Sequence, residues 1–353
     1  MKRLPLQANL ATIICTFIFI IMTSGVKSQV AFDTSSYIRS NPAILSLVVS
    51  VKDSVVFAKS FNSNRNDELL NHQSLTKNVM AVLLGIAIDS GFIASLDTKV
   101  AEFLPELKSD PDRRKLDITV ADIMNQASGL WHENLRRLNK YLRLRNPSAH
   151  VLTQPLISDP GSELHYNNAA THLLSVILSE ATGQSTFDFA RRHLFQPLGI
   201  NHVEWPKMND GYHDGGGLLS VRMTTTAMHK IGMLLLHNGR YNGKQVVSED
   251  YIKQLIMPRR TYAAPWDLPD TQYGLTFYHQ TYKGKAVTFG MGWGGQFLMM
   301  IPDLDAVIAI NQRVNDKKAI QQSVVFTGKI FPLIVDILSE HADHGGKALP
   351  KRE

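Results

Sequence analysis

A chain of 353 residues with 44% hydrophobic and 19% charged residues has ample material for a core, in one large domain or two, and lacks the composition of a disordered protein. Its formal charge of +6 includes Lys2, Arg3 and Lys27 of the first 28 residues, which hold no acid, and is +3 without them. The remaining basic residues include isolated pairs (Arg136-Arg137, Arg191-Arg192, Arg259-Arg260) rather than a stripe interleaved with aromatics, so no nucleic-acid partner is expected.

In chain order, Lys2-Arg3, the apolar run Leu10 to Met22 and the small and polar residues Thr23 to Ser28 have the order of a secretion signal cut near Ser28. The run is short for a membrane span, which needs about 20 residues. No stable span is expected after cleavage, and the bacterial periplasm is the expected location. The sole cysteine, Cys15, lies inside this segment, preceded by Ile13-Ile14 rather than by the small residues a lipid anchor requires. A mature chain without thiols excludes disulfides, cysteine nucleophiles and thiolate metal sites.

Ile44 to Phe61 reads as a hairpin turning at Lys52-Asp53. Ser74 then opens a run to Asp89 that is apolar on nearly every face, the pattern of a buried helix, with Gly91 as its stop. Helical patterns dominate from 93 to 257, most clearly Val120 to Asn125, Ala169 to Ala181, Thr186 to Phe195, Thr224 to His237 and the helix capped by Ser248. Strands return at Tyr273 to Tyr278, Lys285 to Phe289, Gln296 to Ile301 and Ala306 to Ile310, followed by a helix from Val324 to Ser339. The expected fold is α/β (α+β), with one antiparallel sheet built from both ends of the chain, flanked by N- and C-terminal helices. Residues 37–92 and 258–340 form the sheet domain, 93–257 an inserted all-helical domain, and 341–353 a polar tail. A cleft between the two parts is a natural place for a ligand.

Three elements carry chemistry. In Ser74-Leu75-Thr76-Lys77, residues three apart share a helix face, so the Lys77 amine lies beside the Ser74 hydroxyl and can help remove its proton. Ser24-Gly25-Val26-Lys27 has the same spacing, but within the signal. Tyr166-Asn167-Asn168 precedes the next long helix. A tyrosine near an ammonium can act as phenolate base or phenol acid, and the Asn168 amide can hold a substrate carbonyl; packing and helix capping are the plainer readings. Phe289-Gly290-Met291-Gly292-Trp293-Gly294-Gly295 leads into an apolar strand. Its glycines are either a tight turn or a place where backbone meets a ligand, with a strand-edge N–H joining the Ser74 N–H as an oxyanion hole. Trp131, His132 and Glu133, and Tyr212, His213 and Asp214, lie on two loops that can line the cleft. The thirteen histidines show no convincing metal spacing, and no metal or cofactor is expected. Neither Gly-x-Ser-x-Gly nor a phosphate-binding glycine loop occurs.

Together these elements resemble the serine β-lactamase and penicillin-binding-protein superfamily, nearest its class C-like branch of D-amino-acid peptidases, esterases and aminohexanoate-dimer hydrolases. The resemblance spans about Ser40 to Ser339. Further matching text is Leu104-Pro105-Glu106-Leu107, Ile123 to Leu130, Gly215-Gly216-Gly217-Leu218-Leu219-Ser220, and Gly292-Trp293-Gly294-Gly295-Gln296 followed by Ile301-Pro302-Asp303. The resemblance implies a β-lactamase/transpeptidase-like fold and a secreted serine hydrolase. Ser74 would be its nucleophile, Lys77 would assist deprotonation, and Tyr166 would relay protons. Asn168, Gly292, Trp293, Trp131 and Tyr212 would contact a small-molecule or peptide acyl substrate. The Ser74 and Trp293 N–H groups would hold the oxyanion. One departure stands out: the family's third motif, Lys-Thr-Gly or His-x-Gly, reads Gly290-Met291-Gly292 here. The missing cation would bind a substrate carboxylate, so an esterase or amidase is expected in preference to a β-lactamase or DD-peptidase. A silent member that binds cell-wall peptides is the remaining alternative.

Overall fold

The computed structural model describes residues 38, 41–133, 138–262 and 270–343; the expected signal segment and most of the polar tail lie outside the described residues. Strands β1 (Ile44–Val51) and β2 (Ser54–Ser60) form the expected hairpin, with Lys52 and Asp53 both at positive φ as a tight two-residue turn requires. Three small pairings lie outside the main sheet's core: β3 (Leu70–Asn71) with β4 (Arg222–Met223), β5 (Arg240–Tyr241) with β6 (Lys244–Gln245), and β7 (Arg260–Thr261) at the sheet edge. The strands β8 (Gln272–Gly274), β9 (Phe277–Tyr282), β10 (Lys285–Gly292), β11 (Gln296–Ile301) and β12 (Ala306–Gln312) follow. They complete an eight-stranded antiparallel sheet of order β2-β1-β12-β11-β10-β9-β8-β7.

Both faces of this sheet are covered, and alternate residues show it. Phe297, Met299 and Ile301 of β11 and Ala306, Ile308 and Ile310 of β12 pack with Phe326, Ile330, Phe331 and Ile334 from the C-terminal helices. The intervening Leu298, Met300, Val307 and Ala309 face the other core, which holds helices Leu75–Asp89 and Thr225–Leu236. Gly232 of the latter helix lets it sit directly on the sheet: a Cβ there would stand 2.6 Å from Val307 Cγ1. The stretch Ala319–Glu340 is long and apolar enough to cross a membrane by length and composition alone. Here its apolar side lies against the sheet.

Two expectations are corrected. Tyr273 to Tyr278 is not one strand, because Leu275 and Thr276 both take positive φ and break it into β8 and β9. The break is held by side-chain amides: Asn125 Oδ1 accepts the Leu275 N–H at 2.8 Å and Asn78 Nδ2 donates to Thr276 O at 2.8 Å. The C-terminal helix begins earlier, at Ala319, passes through a wider π turn at Phe326–Ile330, and runs on to Asp343, into the expected tail.

Candidate active site

Ser74 is the N-cap of helix Leu75–Asp89, yet its side chain makes no capping bond. A serine in that position ordinarily accepts an N–H of the first turn. Here the hydroxyl is left for other work, and Lys77 Nζ lies 3.2 Å from Ser74 Oγ. The turn before it is held in an uncommon shape. Gln73 takes φ 53°, its N–H bonded to Asn71 Oδ1 at 2.8 Å. Thr76 Oγ1 donates to Gln73 O at 2.7 Å and accepts the Val221 N–H at 3.0 Å, tying the turn to the glycine loop's far end. Below it, His72 is fully buried and its Nε2 is 3.0 Å from Met223 O; burial lowers its pKa to about 4 despite that bond, keeping the ring neutral.

Lys77 is 1% exposed. Besides Ser74 Oγ, its amine donates to Asn168 Oδ1 at 2.6 Å and to Gly216 O. An ammonium has three donors, and three acceptors meet it. The face of the Tyr166 ring covers the group, with Nζ 4.8 Å from the ring centroid, a cation–π contact. The Tyr166 hydroxyl meets Tyr278 instead, within a cluster that also holds Tyr262 and Tyr273. Burial first, then the neighbouring Tyr166, pushes the Tyr262 phenol up to about 12 and raises those of Tyr273 and Tyr278 well above the ordinary phenol value. The surrounding phenols therefore stay neutral.

The residues after Tyr166 are committed within the protein. Asn167 caps helix Asn168–Thr182, its Oδ1 accepting the Ala170 N–H, while its Nδ2 donates to Leu130 O and Trp131 O at 3.0 Å. The Asn168 amide is held at both ends, its oxygen by Lys77 and its Nδ2 by Glu133 Oε1. Asn168, expected to hold a substrate carbonyl, is part of the Lys77 cradle.

The glycine triplet explains how a backbone carbonyl reaches Lys77. A Cβ on Gly216 would stand 2.3 Å from Asn168 O, and one on Gly217, which has φ 86°, would stand 2.9 Å from Ser74 Cα. No side chain fits at either position. Asp214, expected as a cleft residue, is fully buried and shapes this loop: its carboxylate accepts the N–H groups of Gly216, Leu219 and Ser220 at 2.8, 2.6 and 2.9 Å. His172 Nδ1 accepts the Gly215 N–H at 3.3 Å, so its Nε2 carries the proton toward Asp210 Oδ2 at 3.0 Å. Burial alone would raise the Asp210 carboxyl, but the bonds from His172 and Ser148 outweigh it and hold it below its ordinary value.

The strand side closes the site. A Cβ on Gly292 would stand 2.6 Å from His72 O and 2.8 Å from Gln73 Cβ, so the end of β10 lies directly against the nucleophile turn. No hydrogen bond occupies the Ser74 or Trp293 N–H among the described residues. The Trp293 side chain is 38% exposed, its Nε1 bonded to Asp316 Oδ1 at 3.1 Å. The missing third-motif cation has a packing basis: a Cβ on Gly290 would stand 2.2 Å from Asn78 Oδ1.

Two expected substrate contacts have partners within the protein. Tyr212 donates to Glu180 Oε1, a bond that raises its phenol to about 12, and together they line a cavity of about 340 Å³ with Gln184, Ser185 and His213. Glu180 is twelve residues beyond Asn168 on the same helix, about 18 Å along its axis, so Tyr212 is at the far end. The Trp131 ring packs against Tyr141 and edge-on to His150, and its carbonyl accepts from Asn167 Nδ2. His213 Nδ1 bonds Trp205 O at 2.6 Å, and His132 stacks on His165. Among the described residues no group of three His, Cys, Asp or Glu is placed to hold a metal ion.

Three comparisons bear on this arrangement. The model of the Beta-lactamase family matches residues 43–322. Among curated proteins, Protein flp of Staphylococcus aureus (strain MW2) is 26% identical over 127 residues, 35% of this chain and 26% of that protein. The match thus spans about a quarter of that relative. Among solved structures, the octameric penicillin-binding protein homologue from Pyrococcus abyssi has TM-score 0.66 and 17% identity, covering 83% of this chain and 74% of that one. The penicillin binding protein from Bacillus halodurans has TM-score 0.62 and 16% identity, covering 82% and 96%. The D-stereospecific amidohydrolase from Streptomyces sp. has TM-score 0.63 and 15% identity, covering 80% and 92%. At these identities the structural likeness speaks for the fold.

Proposed function

The chain belongs to the Beta-lactamase family, whose members are serine hydrolases, and from that membership we propose that it cleaves ester or amide bonds through an acyl-enzyme on Ser74. The observation that carries this reading is Lys77 Nζ, 3.2 Å from a Ser74 hydroxyl that caps nothing. In its neutral form the amine has two N–H groups and one lone pair. Asn168 Oδ1 and Gly216 O take the two N–H groups, which turns the lone pair to Ser74.

In the proposed mechanism Lys77 takes the Ser74 proton as Oγ forms its bond to the acyl carbon. The carbonyl oxygen becomes an oxyanion between the Ser74 and Trp293 N–H groups, each such donor being worth a factor of about 10²–10³ in rate. As the tetrahedral intermediate collapses, the bond to the leaving alcohol or amine breaks and that group leaves with the proton that Lys77 returns. Water then attacks the ester on Ser74, giving its proton back along the same route and releasing the acid.

The acyl donor follows from what the cleft lacks. No side chain fits at Gly290, so that position offers no cation to a substrate carboxylate, and esters or simple amides are preferred to β-lactams and D-Ala-D-Ala peptides. The basic, apolar and small residues of 1–28 support a secreted, periplasmic enzyme. Turnover of p-nitrophenyl esters, a D-alanyl anilide and a penicillin, measured side by side, tests the proposal. Ester or anilide hydrolysis exceeding that of penicillin is expected; penicillin as the preferred substrate would replace this reading with a β-lactamase, and no turnover of any would leave a binding protein.

A further inference from the structure

Glu133 is a carboxylate that is 4% exposed, beside the start of helix Asn168–Thr182. It accepts the Asn168 N–H at 3.3 Å, the Ala169 N–H at 3.0 Å and the Asn168 side-chain Nδ2. The first two are open donors at the start of helix Asn168–Thr182, where the helix dipole favours negative charge. The third bond bears on catalysis. We propose that Glu133 is a positioning residue that fixes which end of the Asn168 amide faces Lys77, and so determines where the Lys77 lone pair points. This rests on the acyl-enzyme reading of Ser74 given above.

An amide side chain can sit either way round in the same space, and only its partners decide. A carboxylate accepts and never donates, so Glu133 binds the NH₂ end and turns Oδ1 toward Lys77. With the amide reversed, Nδ2 would face Lys77 Nζ. It would oppose the three donors of the ammonium and would donate to the lone pair of the neutral amine, competing with Ser74 for that lone pair. Gly216 O alone would then orient the amine. Glu133 accepts one of the two N–H groups of Asn168 Nδ2.

The contact network favours a fixed orientation. Asn167 Nδ2 holds Leu130 O and Trp131 O, and Gln126 Oε1 accepts the Asn167 N–H at 2.6 Å, so the segment just before Glu133 is fastened to the residue just before Asn168.

The test is a double-mutant cycle on the full chain, read as the rate of Ser74 labelling by a fluorophosphonate and as kcat and KM for a p-nitrophenyl ester. Glu133→Gln lets the amide reverse and is expected to slow labelling and kcat at least about tenfold with KM little changed, a loss confined to the transition state. In the Asn168→Ala background the same substitution is expected to add nothing, since no amide remains to orient. Additive losses in the two backgrounds, or an effect on KM alone, would overturn the proposal, as would an unchanged rate in Glu133→Gln. Thermal unfolding is followed in each variant. If Glu133→Gln does not fold, Glu133→Asp, which keeps the charge but withdraws it by one methylene, takes its place with the same expectations. A wild type that fails to label sinks the parent reading; a wild type that labels beside an unaffected Glu133 variant sinks only this one.

Discussion

Gly217 and Ser74 are in such close contact that a Cβ on the glycine would stand 2.9 Å from the serine Cα and 2.7 Å from Gln73 O. The nucleophile turn is therefore braced by backbone against backbone, with no side chain between to yield. Gly217→Ala must move the turn or the loop, and its φ of 86° adds about 1–2 kcal/mol of strain. We expect ester turnover to fall at least about tenfold together with the melting temperature. Gly183→Ala is the control: φ is 66° there, but nothing lies within 4 Å of the added Cβ. Its melting temperature should fall while turnover is kept; equal loss of turnover in both variants would show that strain alone, rather than contact with Ser74, explains Gly217.

Tyr166 presents its ring face to Lys77 and its hydroxyl to Tyr278. Tyr166→Phe keeps the ring and removes the hydroxyl. If that hydroxyl moves protons, turnover falls by about 10²-fold or more, with the change seen in kcat. An unchanged kcat would assign the residue's contribution to the ring's contact with the amine.

Tyr212 and Glu180 sit at the end of helix Asn168–Thr182 away from Lys77. Tyr212→Phe is expected to leave ester kcat/KM within about twofold, the range of a surface change of about 0.5 kcal/mol. A large rise in KM would return Tyr212 to the substrate cleft.

Three buried histidines make acid stability predictable in sign. Burial lowers the pKa of His72, His229 and His279 to about 4 in the folded protein. In the unfolded chain they titrate near 6.5. Below that pH the unfolded state binds more protons, so stability is full above about 6.5 and is lost as pH falls toward 4. Between pH 6 and 5 the three together cost up to about 4 kcal/mol per pH unit. Urea unfolding at stepped pH measures the slope. His229→Gln, which removes one titrating ring beside Ser50 Oγ, should reduce it by about a third; an unchanged slope would mean that His229 is already protonated in the folded state.

Much of the site was legible because its signals are local. Ser74 and Lys77 meet through helix periodicity, and Tyr166, Asn167 and Asn168 arrive together because a helix starts there. The hairpin at Lys52-Asp53 and the strands β11 and β12 follow from alternation and turn chemistry. Other features depend on contacts that no window of sequence contains. Leu275 and Thr276 break a strand because Asn125 and Asn78 hold them from distant helices. Tyr212 and Asp214 are two residues apart on one loop, yet one faces Glu180 and the other organises the glycine triplet. Glu133 read as a loop acid among many; its partner lies 35 residues on, and only the fold brings the Asn168 amide to it. Its place on a loop expected to line the cleft was the one available hint.

The central claim is that Ser74 becomes acylated. The most direct measurement is intact-protein and peptide mass spectrometry after treating the purified chain with a fluorophosphonate. The account predicts one adduct, on the peptide containing Ser74, absent in Ser74→Ala and formed at least about tenfold more slowly in Lys77→Ala. An unlabelled wild type that also cleaves no p-nitrophenyl ester, or an adduct on another residue, would contradict it.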